Sequence, residues 1–281
     1  VKLIRSSILY TKKPLTLLQF PKTDHILRNN KNNTPSGILE NSGSSSKDII
    51  GAACIDFFNT SDDSLKIEVW SDIAETDYIP VHHLFRSFTD MPVLEQTALQ
   101  RCCGRILDIG AGAGSHTLWL QNQGHDVWAL EISPGACRVM QKRGVKNILQ
   151  QNLFDLRGDQ KYNTILMLMN GIGVVGNVGR LKTFFDIARQ ILAPDGQILV
   201  DSSDLRYLFL DDDGSILIHL NGKYYGEVEY RMNYAGEKGR RFPWLFIDDQ
   251  LLAYYAEQNG FHMERLEEGN HYDYLARIVS K

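Results

Sequence analysis

The sequence predicts an α/β protein built on a doubly wound, mostly parallel sheet, and three observations carry that prediction. The run Arg105-Ile-Leu-Asp-Ile-Gly-Ala-Gly-Ala-Gly-Ser115 passes from a short apolar strand through three alternating glycines into a helix start. Asp126-Val-Trp-Ala-Leu-Glu131 is a second strand that ends in an acid. Downstream, strand-like runs keep alternating with helix-period segments as far as Asp204, a pattern that demands parallel strands with helices on both faces.

Taken in order, residues 1–47 are rich in Lys, Asn, Ser and Thr and hold two low-complexity runs, Asn29-Asn-Lys-Asn-Asn33 and Ser42-Gly-Ser-Ser-Ser46. They read as a disordered tail, or as an extension arising from a start assigned too far upstream. Residues 48–103 read as an N-terminal cap: a short helix over 49–58, an alternating strand at 65–70, and helices over 79–88 and 92–103. Pro92 falls in the first turn of the last of these, where a missing N–H is tolerated. The core, from 104 to 281, opens with strand 105–109, helix 115–123, strand 126–131, helix 134–143 and strand 147–151. It continues with strand 163–169, helix 179–192 and strand 196–202, the last entered through a Pro194-Asp-Gly196 turn. A β-rich insert over 205–245 follows, with strand-like pieces at 216–220 and 225–234. A helix at 248–258 and strands at 261–266 and 272–279 close the chain.

The 281 residues are 43% hydrophobic and 23% charged, ordinary for a protein with a sizeable core. A formal charge of −4 gives no global reason to bind nucleic acid. Four cysteines, Cys54, Cys102, Cys103 and Cys137, lack metal-ligand spacing, and no metal is expected. No stretch approaches the ~20 apolar residues of a membrane span, and the chain reads as cytoplasmic and reduced, with no signal of oligomeric state.

The glycine spacing separates two ligand classes. A dinucleotide turn runs G-x-G-x-x-G, whereas Gly110, Gly112 and Gly114 fall as G-x-G-x-G with Asp108 two residues before. Glycine lets backbone N–H groups approach a ligand that a Cβ would block, and a carboxylate at Glu131 can accept both hydroxyls of a ribose. On these residues, from about Gly104 to Asp204, the sequence resembles the class I S-adenosylmethionine-dependent methyltransferases. From Asp48 onward it is similar to a family of bacterial methyltransferase-domain proteins, through Leu84-Phe85-Arg86, Met91-Pro92, Asp108 to His116 and Leu168-Met-Asn-Gly-Ile-Gly173. The resemblance implies a Rossmann-like seven-stranded sheet whose last strand runs antiparallel, with S-adenosyl-L-methionine as cofactor. Asp108, Gly110, Ala111, Gly112 and Gly114 would form its loop and Glu131 would hold the ribose. Asn152, with Asp155 as fallback, would meet the adenine amino group, between Ile132 and Leu153. Asn170 would orient the acceptor or hold the methionine part. The proline-aromatic platform of relatives that methylate planar amides or base amines is missing after Asn170.

Methyl transfer from a sulfonium needs in-line positioning and, for some acceptors, proton removal. Candidate catalytic residues are His116, Asn170 and Asp204, with His82 and His83 behind them. Candidate acceptor contacts are Tyr78, Arg86, Tyr225 and Trp244, with Tyr224 beside them. Asp211-Asp-Asp213 reads as an acidic turn, and Lys238-Gly-Arg-Arg241 as a solvated basic turn. The expected function is methyl transfer to a small molecule, under a lid made by the cap and the insert. The alternatives are RNA or protein methylation, and a cofactor-binding module without catalysis.

Overall fold

A computed structural model describes residues 47–158, 160–210 and 222–281. Helix α1 (Ile49–Thr60) leads to strands β1 (Lys66–Ser71) and β2 (Asp77–Pro80), two 3-10 turns and α2 (Val93–Gln100). The alternating core follows: β3 (Arg105–Ile109), α3 (Ser115–Asn122), β4 (Asp126–Glu131), α4 (Pro134–Arg143), β5 (Asn147–Gln150), β6 (Tyr162–Met167), α5 (Leu181–Ile191) and β7 (Leu192–Ser203). Then come β8 (Glu227–Tyr234), β9 (Glu237–Leu245), α6 (Asp249–Gln258), β10 (Phe261–Glu268) and β11 (Asp273–Ser280).

Seven strands form one sheet in the order β10-β11-β7-β6-β3-β4-β5. β5, β4, β3, β6 and β7 pair in parallel, and β11 lies antiparallel between β7 and β10. The family's antiparallel last strand is thus present. β3 sits centrally because Ile106, Leu107 and Ile109 are apolar on both faces, and all are buried. On α5, Leu181, Phe184, Phe185, Ala188 and Ile191 recur at helical spacing and are buried, and Phe185 meets Phe261 with ring centroids 5.1 Å apart. α4 is bounded by local chemistry: Ser133 accepts the Ala136 N–H at 3.0 Å, Pro134 follows, and Gly144 ends the helix left-handed.

The other four strands form a separate antiparallel sheet, β2-β1-β8-β9, which joins cap strands to insert strands. Val69 stands opposite Met232, and Tyr230 opposite Phe242. Ile67, Val69, Val228, Tyr230 and Phe246 pack with Ile49 and Ala53 of α1 in a core of their own. α1 in turn crosses α4. The Asp48 carboxylate accepts the Gly51 N–H of α1 at 2.9 Å, and the Gly135 N–H and Ser133 hydroxyl of α4 at 2.7 Å each.

Some elements differ from expectation. The helix expected over 79–88 is the end of β2 followed by a 3-10 turn at Val81–Phe85. Pro80 is the reason, since it has no N–H to donate and pushes Ile79 into extended backbone. Lys238–Arg241, expected as a solvated turn, lies within β9 and pairs with β8. β7 takes in Pro194–Gly196 and starts at Leu192, with a register shift against β6 between Tyr162 and Thr164. The tail over residues 1–46, the strand-like piece at 216–220 and the acidic turn at 211–214 lie outside the described residues.

Because one carboxylate caps two helices, Asp48→Ala should lower stability by about 2–3 kcal/mol, more than a single lost cap. Urea unfolding of the two proteins measures this; an unchanged midpoint would mean that the α1–α4 crossing holds without the caps.

Candidate active site

The parallel strands end along one rim, so the turns after β3, β4, β5 and β6 lie side by side, where open α/β sheets bind ligands. After β3, Gly110, Gly112 and Gly114 all have positive φ, at 74°, 55° and 84°. Side chains rarely adopt that conformation. The Gly110 and Ala111 N–H groups are tied to the Leu130 carbonyl of β4. Glu131 then clasps the loop: Oε2 accepts the Gly112 N–H at 2.8 Å, while Oε1 accepts Ile132 N–H at 2.8 Å and Ser133 N–H at 2.9 Å. A carboxylate has about four acceptor positions, and the one left open is on Oε2. Burial raises the Glu131 pKa against the pull of these N–H groups, and Asp48 adds repulsion.

After β6, Met169 and Asn170 turn left-handed. Asn170 is 2% exposed; its Nδ2 donates to the Leu245 carbonyl at 3.1 Å, and its Oδ1 is buried without a partner. Asp201, on β7, accepts the Gly171 N–H at 2.9 Å, and burial pushes its pKa up to about 6. Trp244 of β9 packs on this turn. A Cβ added at Gly173 would stand 2.1 Å from its indole, so only glycine fits.

Between rim and upper sheet lies a cavity of about 1130 Å³. Gly110, Gly112, Glu131, Asn152 and Asn170 line it from the rim; Val69, Tyr230, Met232, Phe242 and Trp244 line it from the upper sheet. Arg86 and His116 also reach it and share one carboxylate. Arg86 donates to both Glu95 oxygens, at 2.8 and 3.1 Å, and His116 Nε2 lies 2.8 Å from Oε2. Burial opposes ionisation of both Glu95 and His116. Their mutual hydrogen bond and charge outweigh it, holding Glu95 below and His116 above their ordinary pKa values.

A methyltransferase-domain family model matches residues 81–266, more than half of the chain. An S-adenosylmethionine-dependent methyltransferase from Bacteroides fragilis, crystallised with S-adenosyl-L-homocysteine, is 49% identical over 83% of this chain and 95% of its own, with a TM-score of 0.78. The chain belongs to the S-adenosylmethionine-dependent methyltransferases. More distant structures share the fold. The CcbJ methyltransferase from Streptomyces caelestis is 14% identical over 83% of this chain and 99% of its own, with a TM-score of 0.54. The PH0226 protein from Pyrococcus horikoshii is 19% identical over 67% and 88%, with a TM-score of 0.50. No curated protein sequence matches.

In this methyltransferase, the residues singled out from sequence divide in two. Gly110, Ala111, Gly112, Glu131, Ile132, Asn152, Leu153, Asn170, His116, Arg86 and Trp244 line the cavity. Asp108, Gly114, Asp204, Tyr78 and Tyr225 do not. Asp108 is buried behind the loop, where it accepts the Thr117 hydroxyl at 2.6 Å and so fastens α3 to β3. Gly114 faces Met140 and Val145. Asp204 takes the Tyr225 hydroxyl at 2.7 Å and pairs with Arg206, which occupies both candidates with each other. Tyr78 is 53% exposed because β-strand alternation sends Ile79 inward instead. Asp155, the fallback for Asn152, is not in the wall either.

The sequence reading missed Asp48, Glu95 and the Arg180 guanidinium stacked 3.6 Å from the Phe154 ring centroid. Asp48 carried a signal, an acid just before an apolar helical run. Glu95 carried none, because its partners come from a turn and a helix elsewhere in the chain. Among the described residues no helix is long and apolar enough to cross a membrane, and no three metal-ligating side chains converge.

The His116–Glu95 pair makes stability pH-dependent. A raised folded pKa contributes fully below the unfolded histidine value of about 6.5 and is lost as pH rises through the folded value. Urea unfolding should therefore show the gap between the wild type and His116→Gln narrowing above about pH 6.5. A gap that widened with pH would mean that His116 is neutral in the fold.

Proposed function

We propose that this methyltransferase acts on a small-molecule acceptor held between the cofactor and the four-stranded sheet. The observation that carries the reading is the single cavity running from glycine loop to aromatic roof. At about 1130 Å³ it exceeds the ~300–1,000 Å³ typical of one drug-sized ligand. A nucleoside cofactor and a metabolite-sized acceptor suit such a space; a folded RNA or protein does not.

The residues present fit the cofactor. Nothing lies within 4 Å of the Cβ position of Gly112, so a ligand can approach that backbone. The open position on Glu131 Oε2 suits a ribose hydroxyl, and Asn152 and Leu153 suit the adenine edge and face. The orphaned Asn170 Oδ1 suits the ammonium of the methionine part, since a buried acceptor without a donor is costly. Bound there, S-adenosylmethionine supplies an electrophilic methyl group on a sulfonium. The chain's own contribution is to hold the acceptor in line and keep water out, through Tyr230, Phe242 and Trp244 above and the Asn170 turn below. On this reading β1 and β2 of the cap and β8 and β9 of the insert serve as one lid.

Two measurements test the proposal. Glu131→Ala should weaken S-adenosylhomocysteine binding by about 1–3 kcal/mol in calorimetry, and unchanged affinity would remove Glu131 from the ribose site. Wild-type protein should show no salt-sensitive RNA affinity. RNA binding that falls steeply with added salt, and further in an Arg240→Ala, Arg241→Ala variant, would favour RNA methylation instead.

A further inference from the structure

The cavity wall is charged unevenly. Two carboxylates reach it, Asp48 and Glu131. Backbone N–H groups occupy both, with the Ser133 hydroxyl adding a third bond to Asp48. Arg86, His116, Arg138, Arg180 and Arg240 also line it. In a chain of net charge −4, positive charge is thus gathered where a ligand sits.

Arg86 and His116 are the informative pair. Their side chains are 11% and 10% exposed, and the single carboxylate between them, Glu95, is 6% exposed. Burial works against the imidazolium, but Glu95 and Asp108 outweigh it and hold the His116 pKa up, with Arg86 opposing. Asp108 takes its hydrogen bond from the Thr117 hydroxyl, at 2.6 Å. Arg86 and His116 thus both hydrogen-bond the same carboxylate. Independently, the Arg86 Nε–H is buried with no acceptor. A guanidinium donor left unpaired away from water is costly, and a ligand oxygen that bears charge supplies the missing acceptor.

We propose that the methyl acceptor carries a carboxylate-class anionic group that docks on Arg86 and His116, with an apolar or aromatic body under Tyr230, Phe242 and Trp244. The three aromatics form a contiguous edge-to-face set, with ring centroids 6.2 Å apart for Tyr230–Phe242 and 6.1 Å for Phe242–Trp244. A charged anchor at one end and flat apolar contacts along the body fix the acceptor's orientation, which in-line transfer requires. This inference rests on the small-molecule reading above.

The test uses the full chain saturated with S-adenosylhomocysteine. Phenylacetate and indole-3-acetate are titrated by calorimetry against their uncharged amides. The acids should bind about ten-fold or more tighter than the amides, the scale of a charge-assisted hydrogen bond. The double variant Arg86→Gln with Glu95→Gln, which keeps the buried pair neutral, should abolish that preference. Arg86→Lys, which keeps the charge but not the fork, should retain only part of it, and it decides the matter where the double variant does not fold. S-adenosylhomocysteine affinity, titrated separately on each variant, should stay within about two-fold, well under the ten-fold of a lost charged contact. Equal binding of acids and amides by the wild type overturns the proposal. So does a variant that loses S-adenosylhomocysteine instead, since Arg86 then serves the cofactor's own carboxylate. Salt-sensitive RNA binding, read separately, fails the small-molecule reading rather than the anion site.

Discussion

The Glu131 carboxylate holds the rim together. Three backbone N–H groups converge on it, one from the glycine loop after β3 and two from the turn into α4. Two adjacent strand exits are therefore fixed relative to each other by one buried charge. Asp48 extends the arrangement outward, since it holds the start of α4 to the start of α1. Without Asp48 the starts of α1 and α4 would lose these hydrogen bonds and lean on their apolar packing, which is non-directional and resists sliding poorly. Buried charges are usually a burden on stability; here each is neutralised locally by donors that the turns and helix starts leave unsatisfied.

What could be read from the sequence was what local chemistry decides. The three glycines announce a turn with positive φ, and the acid at the end of the next strand announces the clasp. The parallel order follows from alternation alone. What was missed depends on partners distant in the chain. Glu95 looks like any acid in a short helix until Arg86 and His116 close on it. β1 and β8 each look like isolated alternating runs, and only folding shows that they pair. Asp204 and Tyr225 were singled out because each has the right chemistry near the right strand end, yet they satisfy each other. Pro80, readable in the sequence, was given too little weight against the helical spacing around it.

Charge at the site is handled by sharing. Arg86, His116 and Glu95 form a buried set: both bases help hold the Glu95 pKa down, Glu95 holds the His116 pKa up against burial and Arg86, and Asp201 lies close enough for Glu95 to raise its pKa. Such a set resists change by single substitution, because removing one member strands the rest. It also ties the cap to the core, since Arg86 comes from the turn after β2 and His116 from α3. The Ser115 hydroxyl, donating to the Leu84 carbonyl at 2.8 Å, adds a neutral tie at the same seam.

The upper sheet draws β1 and β2 from before the core and β8 and β9 from after its fifth parallel strand, so its central pairing spans nearly the whole five-strand unit. Closing so long a loop adds little to the equilibrium cost, because that cost grows only with the logarithm of length. It does set an order of events, since distant pairings form slowly compared with neighbouring strand-helix units. The rim can therefore be complete while the roof is still open. The two halves of the cavity are then separable in construction as well as in time: the wall on β1, β8 and β9 rests on its own strand pairings and its own core, so a side chain changed there leaves the glycine turn and its acid clasp as they are.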